Sequence, residues 1–208
     1  MSAGTYDLSG DFMTSRPCRA LAAVLLTLLS LGQAGPAGAQ SILEHDAHGD
    51  VRSFTGAAET TTPEPTVADG DILMVRLTHG RYRVGVRIKL VDLQKTGDYR
   101  GHVVQVVTNE GVHRDVVLSA GPQLWRGVAE MDRPSGRKVR CAVRHSIDYT
   151  NHVVTIGFPR SCVSNPRWVR LGAASFTVTG QRGHVDDSLL ANRVDENTIA
   201  LSSRLERG

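Results

Sequence analysis

Between Arg81 and Leu90 the chain alternates without a break. Tyr82, Val84, Val86, Ile88 and Leu90 share one side; Arg81, Arg83, Gly85, Arg87 and Lys89 share the other. A period of two is the repeat of an extended strand with one face on a core and one in water. The preceding run, Ile72 to Thr78, ends at the turn dipeptide His79-Gly80, so the two segments predict a hairpin. Further strands are expected at 99–108, 113–118, 124–130, 138–149, 153–158 and 167–179, with a short edge strand within 44–54. No segment carries the 3.6-residue period of an amphipathic helix, and no internal repeat is found. The pattern predicts an all-β fold: an antiparallel β-sandwich of about eight or nine strands, with a closed barrel as the alternative. Aromatic residues make up only 5% of the 208 residues, so the core should be aliphatic.

Residues 1–39 read as an export signal. Arg16 and Arg19 precede an apolar run, Ala20 to Leu31, and Ala37-Gly38-Ala39 supplies a small-x-small cleavage site with Gln40 next. The apolar run is shorter than the roughly 20 residues of a membrane span. The acidic stretch before Met13 does not suit a signal, which makes Met13 the expected start. The remainder divides into an N-terminal segment with a Thr/Pro-rich loop (40–69), the sandwich (70–183) and a polar C-terminal arm (184–208), expected to be irregular and frayed. After cleavage no membrane anchor is expected.

Cys18 leaves with the signal, so the mature chain keeps one pair, Cys141 and Cys162, and a disulfide is expected in an oxidising compartment. The hairpin around them has a testable register. Pairing Tyr149 with Val154 and Ile147 with Ile156 points both apolar faces to one core and leaves Asn151-His152 as a two-residue turn. The same register sets Cys141 opposite Cys162, with a bend expected at Pro159, which has no N–H to give the ladder.

Several of these stretches resemble a family of small secreted proteins from high-GC Gram-positive bacteria. They are HGRYRVGVRIKLVDL (79–93), CAVRHSIDYTNHVVTIGFPRSCVSNPRWVRLG (141–172), VDD (185–187) and an Asp-x-x-Gly-Asp-Val segment at Asp46 to Val51. The resemblance covers most of residues 44–187. It implies export and a β-sandwich, and it implies no chemistry, because the family carries no assigned activity.

No nucleophile elbow, P-loop, dinucleotide fingerprint or His-Glu-x-x-His motif occurs. His145 is expected as a hydrogen-bonded core residue, and His45 and His48 as loop residues flanking Asp46. Asp46 and Asp50 near the start of the domain, with Asp186 and Asp187 near its end, are the candidate ligands of a Ca2+ ion, which takes oxygen donors. No other cofactor is expected. The binding candidates are Arg81, Arg83, Arg87 and Lys89, a basic ladder for an anionic envelope polymer or a protein, and Trp125 as a stacking platform; Trp168 is expected in the core. The formal charge of +3 is spread along the chain, which argues against nucleic acid. The expected function is a secreted, non-catalytic binding or interaction module, associated with the cell envelope or with carbohydrate. The alternatives are a structural envelope protein and an enzyme of unrecognised type.

Overall fold

Residues 39–56, 61–191 and 199–208 are described by the computed structural model. The export signal, Met13 and Cys18 therefore lie outside the described residues, apart from Ala39. Among the described residues no helix is long and apolar enough to cross a membrane.

Among the described residues thirteen strands form two antiparallel sheets, more strands than the eight or nine expected. In chain order they are β1 (Gln40–His45), β2 (Arg52–Thr55), β3 (Thr62–Pro63), β4 (Ile72–His79), β5 (Arg83–Leu90), β6 (Tyr99–Thr108) and β7 (His113–Ala120). Then follow β8 (Val128–Asp132), β9 (Arg144–Asp148), β10 (Val153–Pro159), β11 (Trp168–Thr179), β12 (Arg182–Asp187) and β13 (Leu205–Glu206). Sheet A has the order β1-β4-β5-β10-β9. Sheet B has the order β3-β2-β12-β11-β6-β7-β8, with β13 beside β11. The sheets stack as a sandwich, not a closed barrel.

The alternating residues explain the stacking. Val75, Leu77, Val84, Val86, Ile88, Val154, Ile156 and Phe158 of sheet A meet Val104, Val106, Val116, Leu118, Val169 and Leu171 of sheet B, all fully or almost fully buried. Phe158 is the one aromatic side chain buried in this cluster, so the core is aliphatic as the composition required.

Several expected details differ. Tyr82 is not on the core face: it is 70% exposed, because β5 begins only at Arg83 and the parity of the strand does not extend through the turn. The expected strand 124–130 is largely a loop. Gln123 and Gly127 take left-handed backbone angles (φ 68° and 78°), which an extended strand does not allow, and β8 starts at Val128. The expected strand 138–149 shrinks to β9.

The β9–β10 register is shifted by two. Ile147 pairs with Val154 and His145 with Ile156, and the connection is the four-residue loop 149–152. The Asp148 carboxylate accepts hydrogen bonds from the Thr150 and Asn151 backbone N–H groups and from the Asn151 side chain, and His152 takes φ 50°. This side-chain turn widens the loop while keeping both apolar faces on the core. The cysteines are consequently not opposite each other on the ladder. After Pro159 the chain turns into a 3-10 segment, Arg160–Val163, which carries Cys162 to Cys141. The disulfide forms with Cα atoms 5.7 Å apart.

Both terminal segments are integral to the sandwich. The segment 40–69 contributes β1 to sheet A and β2 and β3 to sheet B, so its chain crosses between sheets at Asp46–Val51. The expected irregular arm 184–208 begins inside β12 and ends in β13. Its end is pinned and not frayed: Leu205 is fully buried, and the Gly208 N–H donates to the His79 carbonyl.

Candidate functional site

Two charged features stand out, on different parts of the sandwich. The first is the outer face of sheet A. Because β5 buries Val84, Val86, Ile88 and Leu90, it turns Arg83, Gly85, Arg87 and Lys89 outward. Register then adds neighbours on the same face. Arg87 lies between Arg76 on β4 and Thr155 on β10, and Gly85 lies between Thr78 and Gly157. Gly157 is in turn opposite Arg144 on β9. Arg76 and Arg144, both exposed, belong to this face and were missed from sequence; the signal was the hairpin register, which places Arg76 against Arg87. Arg81 is not part of the ladder. It sits in the turn before β5, with its guanidinium 5.1 Å from the centre of the Tyr82 ring.

The ion pairs among the described residues all lie elsewhere. Arg83 donates to the Gly157 carbonyl and Lys89 to the Asn151 carbonyl, and the carboxylate that register brings to this face, Asp148 in the row of Lys89, bonds to its own turn and forms no ion pair with the face among the described residues. Arg76 directly opposite Arg87 is a like-charge cross-strand pair, which is unfavourable by itself. Between the arginines, Gly85 and Gly157 carry no side chain and leave a flat floor of backbone.

The second feature lies where the chain crosses from β1 to β2. Carboxylate oxygens of Asp46, Asp50 and Asp186 gather within 4.8 Å of one another. Asp50 and Asp186 are buried, at 4% and 1% exposure. Asp71, the fully buried residue before β4, precedes Ile72, whose N–H donates to Asp186 Oδ2. Burial pushes the Asp46 carboxyl up to about 7 and the Asp186 carboxyl up to about 8. One backbone N–H bond each, from Ala47 and Ile72, opposes this, and the neighbouring aspartates add to it. Asp187, expected in this set, is engaged elsewhere: its oxygens accept from the Leu189 and Ala200 N–H groups and fasten the C-terminal segment. Asp71 was missed because a single Asp before a strand reads as a turn residue.

The other candidates stand apart. His48 bonds through Nδ1 to Asp71 Oδ2 at 2.7 Å, while His45 is on the exposed side of β1, so the two do not converge. His145 bonds through Nε2 to the Gly127 carbonyl, as expected for a hydrogen-bonded histidine. Trp125 sits in the 121–127 loop, edge-on to Tyr149 with ring centres 6.2 Å apart, and its carbonyl accepts from the Tyr149 hydroxyl. Its side chain is half-buried. Trp168 is half-buried under the Arg204 guanidinium and not in the core.

One further row was not visible in the sequence. Asp186, Ser175 and His102 lie side by side across β12, β11 and β6. These are the residue types of a nucleophilic triad. However, Ser175 Oγ and both His102 ring nitrogens have no hydrogen-bond partner, so the nucleophile–base bond is missing, and all three residues are enclosed. Burial lowers the His102 pKa to about 3, aided by Arg100, which keeps its ring neutral. A shallow hollow of about 220 Å³ between Tyr99, Ser119 and Leu124 has Asp98 as its one titratable carboxylate. Comparison with protein-family models, with curated proteins and with solved structures finds no match to this chain.

Proposed function

We propose that the protein is an exported, non-catalytic module that binds an anionic glycan polymer of the cell envelope on the outer face of sheet A. The observation that carries this reading is the Arg76–Arg87 pair. Two exposed guanidinium groups face each other across neighbouring strands, and neither forms an ion pair with a carboxylate among the described residues. A chain of phosphate or carboxylate groups supplies the opposite charge, and arginine forks bind such groups in pairs of hydrogen bonds. Arg83, Lys89 and Arg144 extend the contact over three strands, and the Gly85–Gly157 floor lets a polymer lie close to the sheet. The Cys141–Cys162 disulfide fits the oxidising surroundings of an exported protein.

The test is co-sedimentation of the full chain with a phosphate-bearing wall polymer across a NaCl series, with a neutral glycan and duplex DNA as comparisons. Binding is expected at low salt and should weaken steeply as the screening length falls to about 10 Å near 0.1 M. Arg76→Ser with Arg87→Ser should weaken it by at least about tenfold, more than one pK-type unit of interaction free energy. Unchanged binding by that double variant, or preference for the neutral glycan or for DNA, overturns the reading.

A further inference from the structure

We propose that Asp46, Asp50, Asp71 and Asp186 hold one Ca2+ ion, which clamps sheet A to sheet B where the chain crosses between them. The four residues come from three separate stretches: the β1–β2 crossing, the residue before β4, and β12. Carboxylate oxygens of three of them already converge within 4.8 Å. Ca2+ binds oxygens at about 2.3–2.6 Å, so oxygens on opposite sides of one ion are separated by about 5 Å or less.

Independent observations point to a ligand here. Asp71 is wholly enclosed. Its Oδ2 accepts from the Gly49 N–H and bonds to His48, whereas its Oδ1 has no hydrogen-bond partner. Its Oδ2 is fastened to His48 and Gly49 of the crossing that carries Asp46 and Asp50, and the next residue, Ile72, donates its N–H to Asp186, so Asp71 adjoins the cluster on both sides. Ser175, 1% exposed, stands directly opposite Asp186 in the β11–β12 ladder, and its Oγ is also without a partner. Asp46 Oδ2 is a third such atom. Buried oxygens without donors are costly, and no Lys or Arg among the described residues forms an ion pair with Asp46, Asp71 or Asp186. A hard cation satisfies all of these atoms at once.

The donor set also selects the ion. The converging set is made of carboxylate oxygens, with no thiolate and no imidazole among them, which disfavours zinc and copper. Several carboxylates in an irregular cage suit Ca2+ better than Mg2+, which keeps most of its waters and demands a tight octahedron.

The experiment uses the full chain, stripped with EDTA and titrated with CaCl2 in a calorimeter, with thermal unfolding followed in parallel. One Ca2+ per chain and a rise in melting temperature are expected, with a much smaller effect of MgCl2. Asp71→Asn and Asp50→Asn should each weaken Ca2+ binding by at least tenfold, while the exposed control Glu130→Gln should not. Absence of binding at millimolar CaCl2 by folded protein overturns the proposal, as does binding that Asp71→Asn leaves unchanged. If the Asn variants do not fold, the wild-type titration alone decides. Envelope binding by the sheet A face is measured separately and does not depend on this outcome.

Discussion

Asp186 accepts a 2.6 Å hydrogen bond from the backbone N–H of Ile72, a residue 114 positions earlier in the chain. Ile72 opens β4 in one sheet and Asp186 lies in β12 of the other, so this bond straps the two layers together inside the protein. Removing only the acceptor leaves the Ile72 N–H buried and unpaired, at a cost of about 1–3 kcal/mol. Asp186→Ala should therefore lose about that much stability in urea unfolding at pH 8 with EDTA. Asp186→Asn keeps a carbonyl acceptor and removes one charge from a crowded group of carboxylates, so it should match or exceed the parent under the same conditions. Equal losses in the two variants would show that the bond does not carry the strap.

The Cys141–Cys162 bridge closes a loop with a sequence separation of 21. Loop-closure entropy gives such a crosslink roughly 3 kcal/mol, a large share of an ordinary stability of about 5–15 kcal/mol. Cys141→Ser should lower the melting temperature clearly and release Cys162 for intermolecular pairing, visible as a dimer on a non-reducing gel. An unchanged melting temperature would place the stability of this end in the 3-10 turn and not in the bridge.

The sequence reading reached the sandwich because period-two alternation and a solid aliphatic face are local signals that survive into the fold. It reached the disulfide because only two cysteines, Cys141 and Cys162, follow residue 39. It missed the register between them for a physical reason. Ile147 opposite Ile156 and Ile147 opposite Val154 both keep every apolar side chain on the core, so hydrophobicity cannot choose. The choice falls to Asp148, whose carboxylate collects three hydrogen bonds in the turn. Three of the five basic residues of that face were legible, since alternation gives Arg83, Arg87 and Lys89, whereas Arg76 and Arg144 need cross-strand register. The three carboxylates that gather, Asp46, Asp50 and Asp186, were picked from their nearness to the ends of the domain. Asp71 was not, because its role depends on a contact between sheets. Leu205 was missed for the opposite reason: one buried residue in a two-residue strand leaves no period to read.

Gly101 on β6 carries the Phe176 ring directly above its Cα, and Gly183 on β12 carries Phe54 in the same way. A methyl group at either position would run into the ring. Gly101→Ala should destabilise by about 1–3 kcal/mol, the usual cost of forcing extra volume into a packed site. Gly111→Ala is a useful contrast. Gly111 has open space around it, and its φ of 69° costs only local strain. Chemical unfolding of the two variants should separate steric conflict from backbone strain, with the larger loss expected at Gly101.

The last residues close the sandwich. Leu205 is fully buried, its carbonyl meets His79 Nδ1 at 3.0 Å, and the Gly208 N–H reaches the His79 carbonyl. Arg160 Nε donates to the other ring nitrogen of His79, so Nδ1 must carry the proton. Deleting Leu205 to Gly208 should cost about 2–5 kcal/mol, the range for emptying a leucine site. It should also raise the hydrogen exchange of β4 near His79. Unchanged stability would show that the segment merely covers the surface.

His102 makes the acid response of the fold testable. Enclosure in β6, aided by the positive charge of Arg100 two residues away, holds its pKa near 3 against an ordinary value of 6.5. The folded state thus binds this proton less readily than the unfolded state does. The contribution to stability is complete above pH 6.5 and is lost progressively as pH falls toward 3, with a slope approaching about 1.4 kcal/mol per pH unit inside that window. His102→Leu removes the titration and also removes two ring nitrogens that have no partner. Unfolding free energies measured in EDTA from pH 7 to pH 4 should therefore diverge, with the parent falling faster than the variant. At pH 7 the two should be close, because the lost volume is small and the deleted polar atoms were unsatisfied. Parallel curves for parent and variant would mean that His102 takes up its proton in the folded state, and that the interior at β6 is open to water.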